Sequence, residues 1–251
     1  MYICIHSVHF LWHISDFMKP RTLVRQILLS LIIFLIILIS CFSIYRIIKT
    51  NNVINEYFDQ GRWKRLSADY ALTPKQNNMI IFFGDSMTEN FGELLETSDS
   101  LINMGISGDF TFGLLKRTDA VIRLSPAKLF IMIGINDIIE QVPMWQICDN
   151  YAKIIDNISQ ESPETEIFVQ STLPTYGLEG AISSGSSINR KVIELNRFLQ
   201  SMCQRRGLTY IDLYSGMVNE QKELRHGLTS DGIHLNEEGY IIWKSVIQLY
   251  Y

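Results

Sequence analysis

Residues 79–90 read MIIFFGDSMTEN, and the break inside this stretch decides the fold class. Met79–Phe83 has no polar position, so the alternation of a half-exposed strand is missing. The run predicts a short strand buried on both faces. It stops at Gly84, and polar residues come at once after it. The pattern returns at Leu101–Met104 before Gly105 and at Leu129–Ile133 before Gly134. Ile167–Gln170 is a fourth run and Leu208–Ile211 a weaker fifth. Between them, Thr111–Arg123, Met144–Gln160 and Ile188–Arg206 space their apolar residues as amphipathic helices do, and Leu235–Tyr250 closes the chain as another. Strands alternating with helices imply an α/β protein: a three-layer α/β/α sandwich around a parallel sheet of about five strands.

Outward from this core, the N-terminal part differs in kind. Ile27–Tyr45 reads ILLSLIIFLIILISCFSIY, without a charge over 19 residues. At about 1.5 Å per helical residue this just spans a bilayer core. A buried helix of a soluble protein would carry a polar side. The segment 27–48 is therefore expected as a transmembrane helix or signal segment. Lys19, Arg21 and Arg25 precede it, and Arg46 and Lys49 come after it, which favours an inside N-terminus. An uncleaved anchor and a cleaved signal both fit. Leu38-Ile39-Ser40-Cys41 also resembles a lipobox, which would lipidate Cys41, although apolar residues continue to Ile48. Met18-Lys19-Pro20-Arg21 reads as a natural start, which would make residues 1–17 an artefact. The expected divisions are a leader (1–26), the apolar segment (27–48), a polar stalk (49–77) and one catalytic domain (78–251).

Charge obeys the same division. The 251 residues carry 22 Lys+Arg against 26 Asp+Glu, net -4, and mean hydropathy is +0.10. Residues 1–50 hold five of the basic and one of the acidic side chains, leaving 17 against 25, net -8. An acidic domain of this kind argues against nucleic acid as a partner. Four cysteines in a chain this long exclude a disulfide scaffold.

Ligands of open parallel sheets gather at the carboxyl ends of strands, and three strand ends carry polar clusters here. They are Gly84-Asp85-Ser86, Gly105-Ile106-Ser107-Gly108-Asp109 and Gly134-Ile135-Asn136-Asp137; Asp231-Gly232-Ile233-His234 precedes the last helix. Each has a bland reading alone: Ser86 with Glu89 fits a capping box, the glycines fit turns, and Asn136 or Asp137 fits a helix cap. Histidine counting narrows the choice. Of five histidines, His6, His9 and His13 precede the apolar segment, leaving His226 and His234. A serine nucleophile needs a base and a group that orients it. Asp231, three residues before His234, can serve from a single turn. The Ser86 and Gly108 amides and the Asn136 side chain come from neighbouring strand ends and can supply an oxyanion hole.

In order, these four blocks resemble those of the SGNH (GDSL-type) hydrolase family, and the resemblance covers about residues 78–251. Within it the chain is similar to platelet-activating-factor acetylhydrolase-like proteins and bacterial carbohydrate esterases. The first block reads GDSM rather than GDSL, an apolar exchange at Met87. Thr88 stands where the α/β-hydrolase elbow G-x-S-x-G has its second glycine. The resemblance implies an SGNH, flavodoxin-like sheet and an acyl-enzyme mechanism. Ser86 would be the nucleophile, His234 the base and Asp231 its orienting group, with Ser86, Gly108 and Asn136 as the oxyanion hole.

No metal or cofactor is implied; Cys148 and Cys203 lack ligand spacing and read as buried thiols. The expected substrate is a small-molecule or glycan ester carrying a short acyl or O-acetyl group, met outside the cytoplasm. A lysophospholipase or lipid esterase, O-acetyl transfer and a non-catalytic glycan-binding module are the alternatives.

Overall fold

The computed structural model describes residues 20–59, 61–92, 100–178 and 185–250. The chain divides into two units, Met1–Lys49 and Thr50–Tyr251. In the first, helix α1 (Pro20–Asp59, reaching into the second unit) is exposed at every described side chain from Val24 to Lys49. It is long and apolar enough to cross a membrane. The leader to residue 19, with the start expected at Met18, lies outside the described residues.

The second unit holds a five-stranded, wholly parallel sheet in the order β2-β1-β3-β4-β5. Its strands are β1 (Ile80–Gly84), β2 (Leu101–Gly105), β3 (Lys128–Met132), β4 (Glu166–Gln170) and β5 (Thr209–Ile211). All five were expected within two residues of these bounds. The connecting helices are α2 (Gly61–Leu72), α3 (Ser86–Phe91), α4 (Thr111–Leu124), α5 (Ile135–Ile139) and α6 (Met144–Glu161). After them come α7 (Gly185–Arg206), α8 (Tyr214–Met217) and α9 (Glu237–Ile247). The stretch 177–187, which from sequence reads equally as a loop over the site or as a passive surface loop, falls mostly on residues outside those described.

Both sheet faces are covered, which is why the strands lack polar alternation. Ile81, Phe83, Leu129, Ile131, Ile167 and Val169 pack in one core with α4, α6 and α7. The alternate residues Phe82, Phe130 and Phe168 face a second core with Phe91 of α3 and Trp243 of α9. These three phenylalanines are register partners across β1, β3 and β4. Their rings stack at 4.8 and 4.6 Å between centroids. Each fully buried ring contributes about 1.5–3 kcal/mol.

The segment 49–77 differs from the expected stalk. Ile54, Phe58 and Trp63 are buried in the first core. The Phe58 and Trp63 rings meet edge-on at 4.7 Å. These residues belong to the apolar face of a helical pair, α2 and the end of α1. The domain therefore begins near Thr50 rather than at 78.

Candidate active site

β1 and its neighbours end together, and the loops and turns that leave these ends build the site. In an order 2-1-3-4-5 the chain leaves β1 in opposite directions toward β2 and β3, which opens a crevice at their carboxyl ends. Asp85 caps α3: its side chain accepts from the Met87 amide at 3.0 Å. Ser86 is thus the first helical residue, where an amide has no preceding turn to donate to. Asp85, not Ser86, is the N-cap, so the bland capping-box reading of Ser86 with Glu89 does not hold. The Glu89 carboxylate instead accepts from the Ser107 amide at 2.7 Å and from the Ser107 hydroxyl, and pairs with Arg62. A local four-residue pattern cannot distinguish these outcomes, because the competing donors come from elsewhere in the chain.

The loop after β2 is tied to the end of β1 and to α3, through the Ile106 amide on Gly84 O and Ser107 on Glu89. Gly108 has φ +79, the left-handed region that glycine enters without strain. Neighbouring amides all have internal acceptors: Ile106 on Gly84 O, Ser107 on Glu89, Asp109 on Ile106 O and Phe110 on Asp109. Among the described residues the Gly108 amide has none. After β3, Asn136 donates one amide hydrogen to the Asp109 carbonyl at 2.9 Å, leaving its second hydrogen available. Three donors, from Ser86, Gly108 and Asn136, thus stand at adjacent strand ends.

The fourth block reaches the same crevice. His234 Nε2 lies 2.9 Å from Ser86 Oγ, and His234 Nδ1 lies 2.6 Å from Asp231 Oδ2. The other Asp231 oxygen accepts from the Ile233 and His234 amides at 2.9 and 2.8 Å. Partial burial pushes the Asp231 carboxyl up. The His234 ring and these two amides outweigh it, and the pKa falls to about 2. Asp231 is therefore ionised at any working pH and holds the imidazole with Nε2 toward the serine. The turn itself is fixed by the Tyr176 amide on Gly232 O and the Gly232 amide on Thr229 Oγ1. His226 stands apart, its ring edge-on to Tyr176 at 5.0 Å.

A buried frame supports these residues. Arg117 pairs with Asp109 at 2.7 Å and donates to Met104 O and Gly84 O. One guanidinium thus ties the ends of β1 and β2 to the Gly108 loop. Such a pair is stable only with its remaining hydrogen-bonding capacity satisfied, and Trp63 Nε1 and the Phe110 amide complete Asp109. Asp137 accepts from the Thr111 amide and hydroxyl at 2.9 and 2.6 Å. Arg117 was missed in the sequence, although a signal exists: it shares a stripe of α4 with Leu114, Thr118 and Val121, all buried. A charge on a buried stripe demands a buried partner. Cys203 is buried as expected, and Cys148 is half-buried. A small recess is lined by Asp85, Met87, Met132, Ile135, Thr172 and Ile233 among others, with room for about one water-sized group.

Comparison with known proteins agrees with this geometry. The model of the GDSL-like Lipase/Acylhydrolase family matches residues 82–242. A Bacteroides fragilis structure assigned as an acylhydrolase is 27% identical with a TM-score of 0.64, covering 74% of this chain and 93% of that one. A Streptococcus pneumoniae structure described as a platelet activating factor is 26% identical with a TM-score of 0.67, covering 80% and 95%. In sequence, an N-acylneuraminate cytidylyltransferase of Streptococcus agalactiae serotype V is 23% identical over 198 residues, which is 72% of this chain and 44% of that protein. The chain spans about half the length of the curated relatives it matches, so their names describe more than the shared part. The family match covers well over half of the sequence and includes Ser86, Gly108, Asn136, Asp231 and His234: the chain belongs to the GDSL-like lipase/acylhydrolase family.

Proposed function

We propose that this protein is a serine carboxyl-ester hydrolase that removes short acyl groups through an acyl-enzyme. The hydrogen-bonded series Ser86–His234–Asp231 beside three amide donors carries the reading. Ser86 Oγ attacks the ester carbonyl and passes its proton to His234 Nε2. Asp231 holds the imidazole and balances the imidazolium. The oxygen gaining charge is met by the Ser86 and Gly108 amides and the free hydrogen of Asn136. The intermediate collapses to acyl-Ser86, and the leaving alcohol takes the proton from His234. Water then repeats the sequence: its proton goes to His234, its oxygen to the acyl carbon, and the carboxylic acid leaves as Ser86 regains its proton.

The small recess lined by Asp85 and Met87, the residues on either side of Ser86, is our candidate for the acyl site, and its size supports a short acyl group. An O-acetyl group meets this condition, and glycans as the alcohol part are supported by the resemblance to bacterial carbohydrate esterases. The apolar helix supports a site held at a membrane, and the basic residues before it support a domain outside the cytoplasm. That helix is also what favours the second reading, a lipid esterase, because it would bring lipid close.

The test uses the full chain in detergent with nitrophenyl esters from acetate to palmitate, alongside acetate release from acetylated glycans. Rates that fall steeply beyond acetate, with Ser86→Ala inactive, are expected. Rates that rise toward palmitate transfer the assignment to the lipid reading. Wild-type turnover by a folded Ser86→Ala protein overturns both.

A further inference from the structure

The peptide group that presents the Gly108 amide has its own carbonyl on Ser107, and that carbonyl is hydrogen-bonded. The Tyr57 hydroxyl donates to Ser107 O at 2.7 Å. Tyr57 lies near the end of α1, 50 residues earlier in the chain. We propose that Tyr57 is a positioning residue of the oxyanion hole, fixing and polarising the Ser107–Gly108 peptide so that its N–H points at the developing charge. This rests on the esterase reading above and assigns it a part outside the four motif blocks.

Three observations carry the proposal. First, C=O and N–H of one peptide are rigidly coplanar, so a donor on Ser107 O sets the direction of the Gly108 N–H. A hydrogen bond to the carbonyl also strengthens the N–H as a donor through chain polarisation. Second, the contact is close and directional. The Tyr57 ring lies so near Gly108 that a Cβ there would meet its Cε2 at 2.9 Å. The ring is held edge-on by Phe58 at 5.4 Å and Phe110 at 5.5 Å. Burial, with the Asp109 charge adding to it, raises the Tyr57 phenol well above its usual range, so the hydroxyl stays a donor. Third, Tyr57 does not act alone. Trp63 Nε1 donates to Asp109 Oδ1 at 3.1 Å, and the Tyr70 hydroxyl donates to Gly105 O at 3.0 Å. Arg62 pairs with the Glu89 carboxylate that holds the Ser107 amide. Three side chains from 57–70 thus hold positions 105, 107 and 109, and Arg62 acts through Glu89; the remaining N–H is the one offered to substrate.

Tyr57→Phe in the full chain keeps the ring packing and removes only the hydroxyl. The expected result is a fall in kcat of about tenfold with KM unchanged, below the 10²–10³ of deleting an oxyanion donor outright. A short alkylboronic acid, which adds to Ser86 Oγ as a tetrahedral anion, should lose affinity by the same factor. Tyr210→Phe, which removes a phenol hydroxyl bonded to Ser171 and not to this loop, should retain boronate affinity. Loss of turnover with unchanged boronate affinity and a lowered melting point would mean a packing role and overturn the proposal. So would a kcat within twofold of wild type. If wild-type protein shows no Ser86-dependent ester hydrolysis, the esterase reading fails and this proposal with it; an active wild type with an equally active Tyr57→Phe sinks only the proposal.

Discussion

At the scale of single residues, the candidate site was legible wherever a motif carries the proposed chemistry. Ser86, Asn136, Asp231 and His234 were marked by residue type, strand-end position and the scarcity of histidine. Gly108 was marked by the need for a close backbone approach. The buried carboxyls were less transparent, because a side chain's partners at a distance of tens of residues leave no local trace. Asp85 is buried and accepts from the Met87 amide. Burial raises its pKa to about 7, and the nearby Asp109 and Asp137 charges add to the rise. Burial raises Asp137 to about 6 against the pull of its Thr111 bonds. Both values lie above the 3.8 of an unfolded aspartate, so the folded state binds these protons more tightly. Their stabilising contribution is complete below pH about 4 and is lost as pH rises toward about 7. Asp231, lowered to about 2, acts in the opposite sense but only below pH about 4. The urea midpoint of the domain, monitored by tryptophan fluorescence, should therefore be higher at pH 5 than at pH 8. Asp85→Asn, whose side-chain oxygen still accepts from Met87, should remove most of that difference. An equal difference in the variant would mean that Asp85 is ionised when folded.

Whole elements were legible where periodicity is strong and the terminal residue is distinctive. The five strands were found because burial on both faces removes polar alternation and because glycine ends the first two. The glycines themselves have a reason visible only in three dimensions. A Cβ on Gly105 would meet the Glu89 amide nitrogen at 2.2 Å and the Thr88 carbonyl carbon at 2.8 Å. α3 therefore rests directly on the end of β2. What clashes is backbone, which cannot rotate away. Gly105→Ala should cost about 3 kcal/mol or more, and for a domain of this size lower the melting temperature by about 6–12 °C. Gly216→Ala, which meets nothing within 4 Å, is the matched control and should melt near wild type. Equal melting of the two variants would show that α3 does not rest on β2. The brace formed by α2 and the end of α1 escaped the sequence for a related reason. Tyr57, Trp63 and Tyr70 look like the aromatic stripe of any amphipathic helix, and their hydroxyl and indole partners lie 35–50 residues away.

At the scale of the molecule, one helix makes the composition misleading. The positive mean hydropathy belongs largely to 27–48, whereas the rest of the chain beyond residue 50 is acidic. Every described side chain from Val24 to Lys49 is exposed, so a long apolar surface has nothing of its own unit to cover it. Water is a poor solvent for that surface, and a bilayer is a good one. The full chain should sediment with membranes and resist alkaline carbonate. Replacing Leu35 and Ile36 by arginine puts two charges at the middle of the segment, each costing about 2.5–3.5 kcal/mol in a membrane. The double variant should move to the soluble fraction while its ester hydrolysis, carried by the second unit, persists. The mass of the membrane-bound protein separates the ways of attachment. An intact chain means a spanning anchor. A chain beginning at Cys41 that carries added acyl mass means a lipoprotein, and Cys41→Ser should then release it. A soluble wild-type chain that has lost 27–48 means a cleaved signal. An intact wild-type chain that stays soluble in carbonate and in neutral buffer alike would exclude all three, because 19 uncharged residues would then be covered by another protein rather than by lipid.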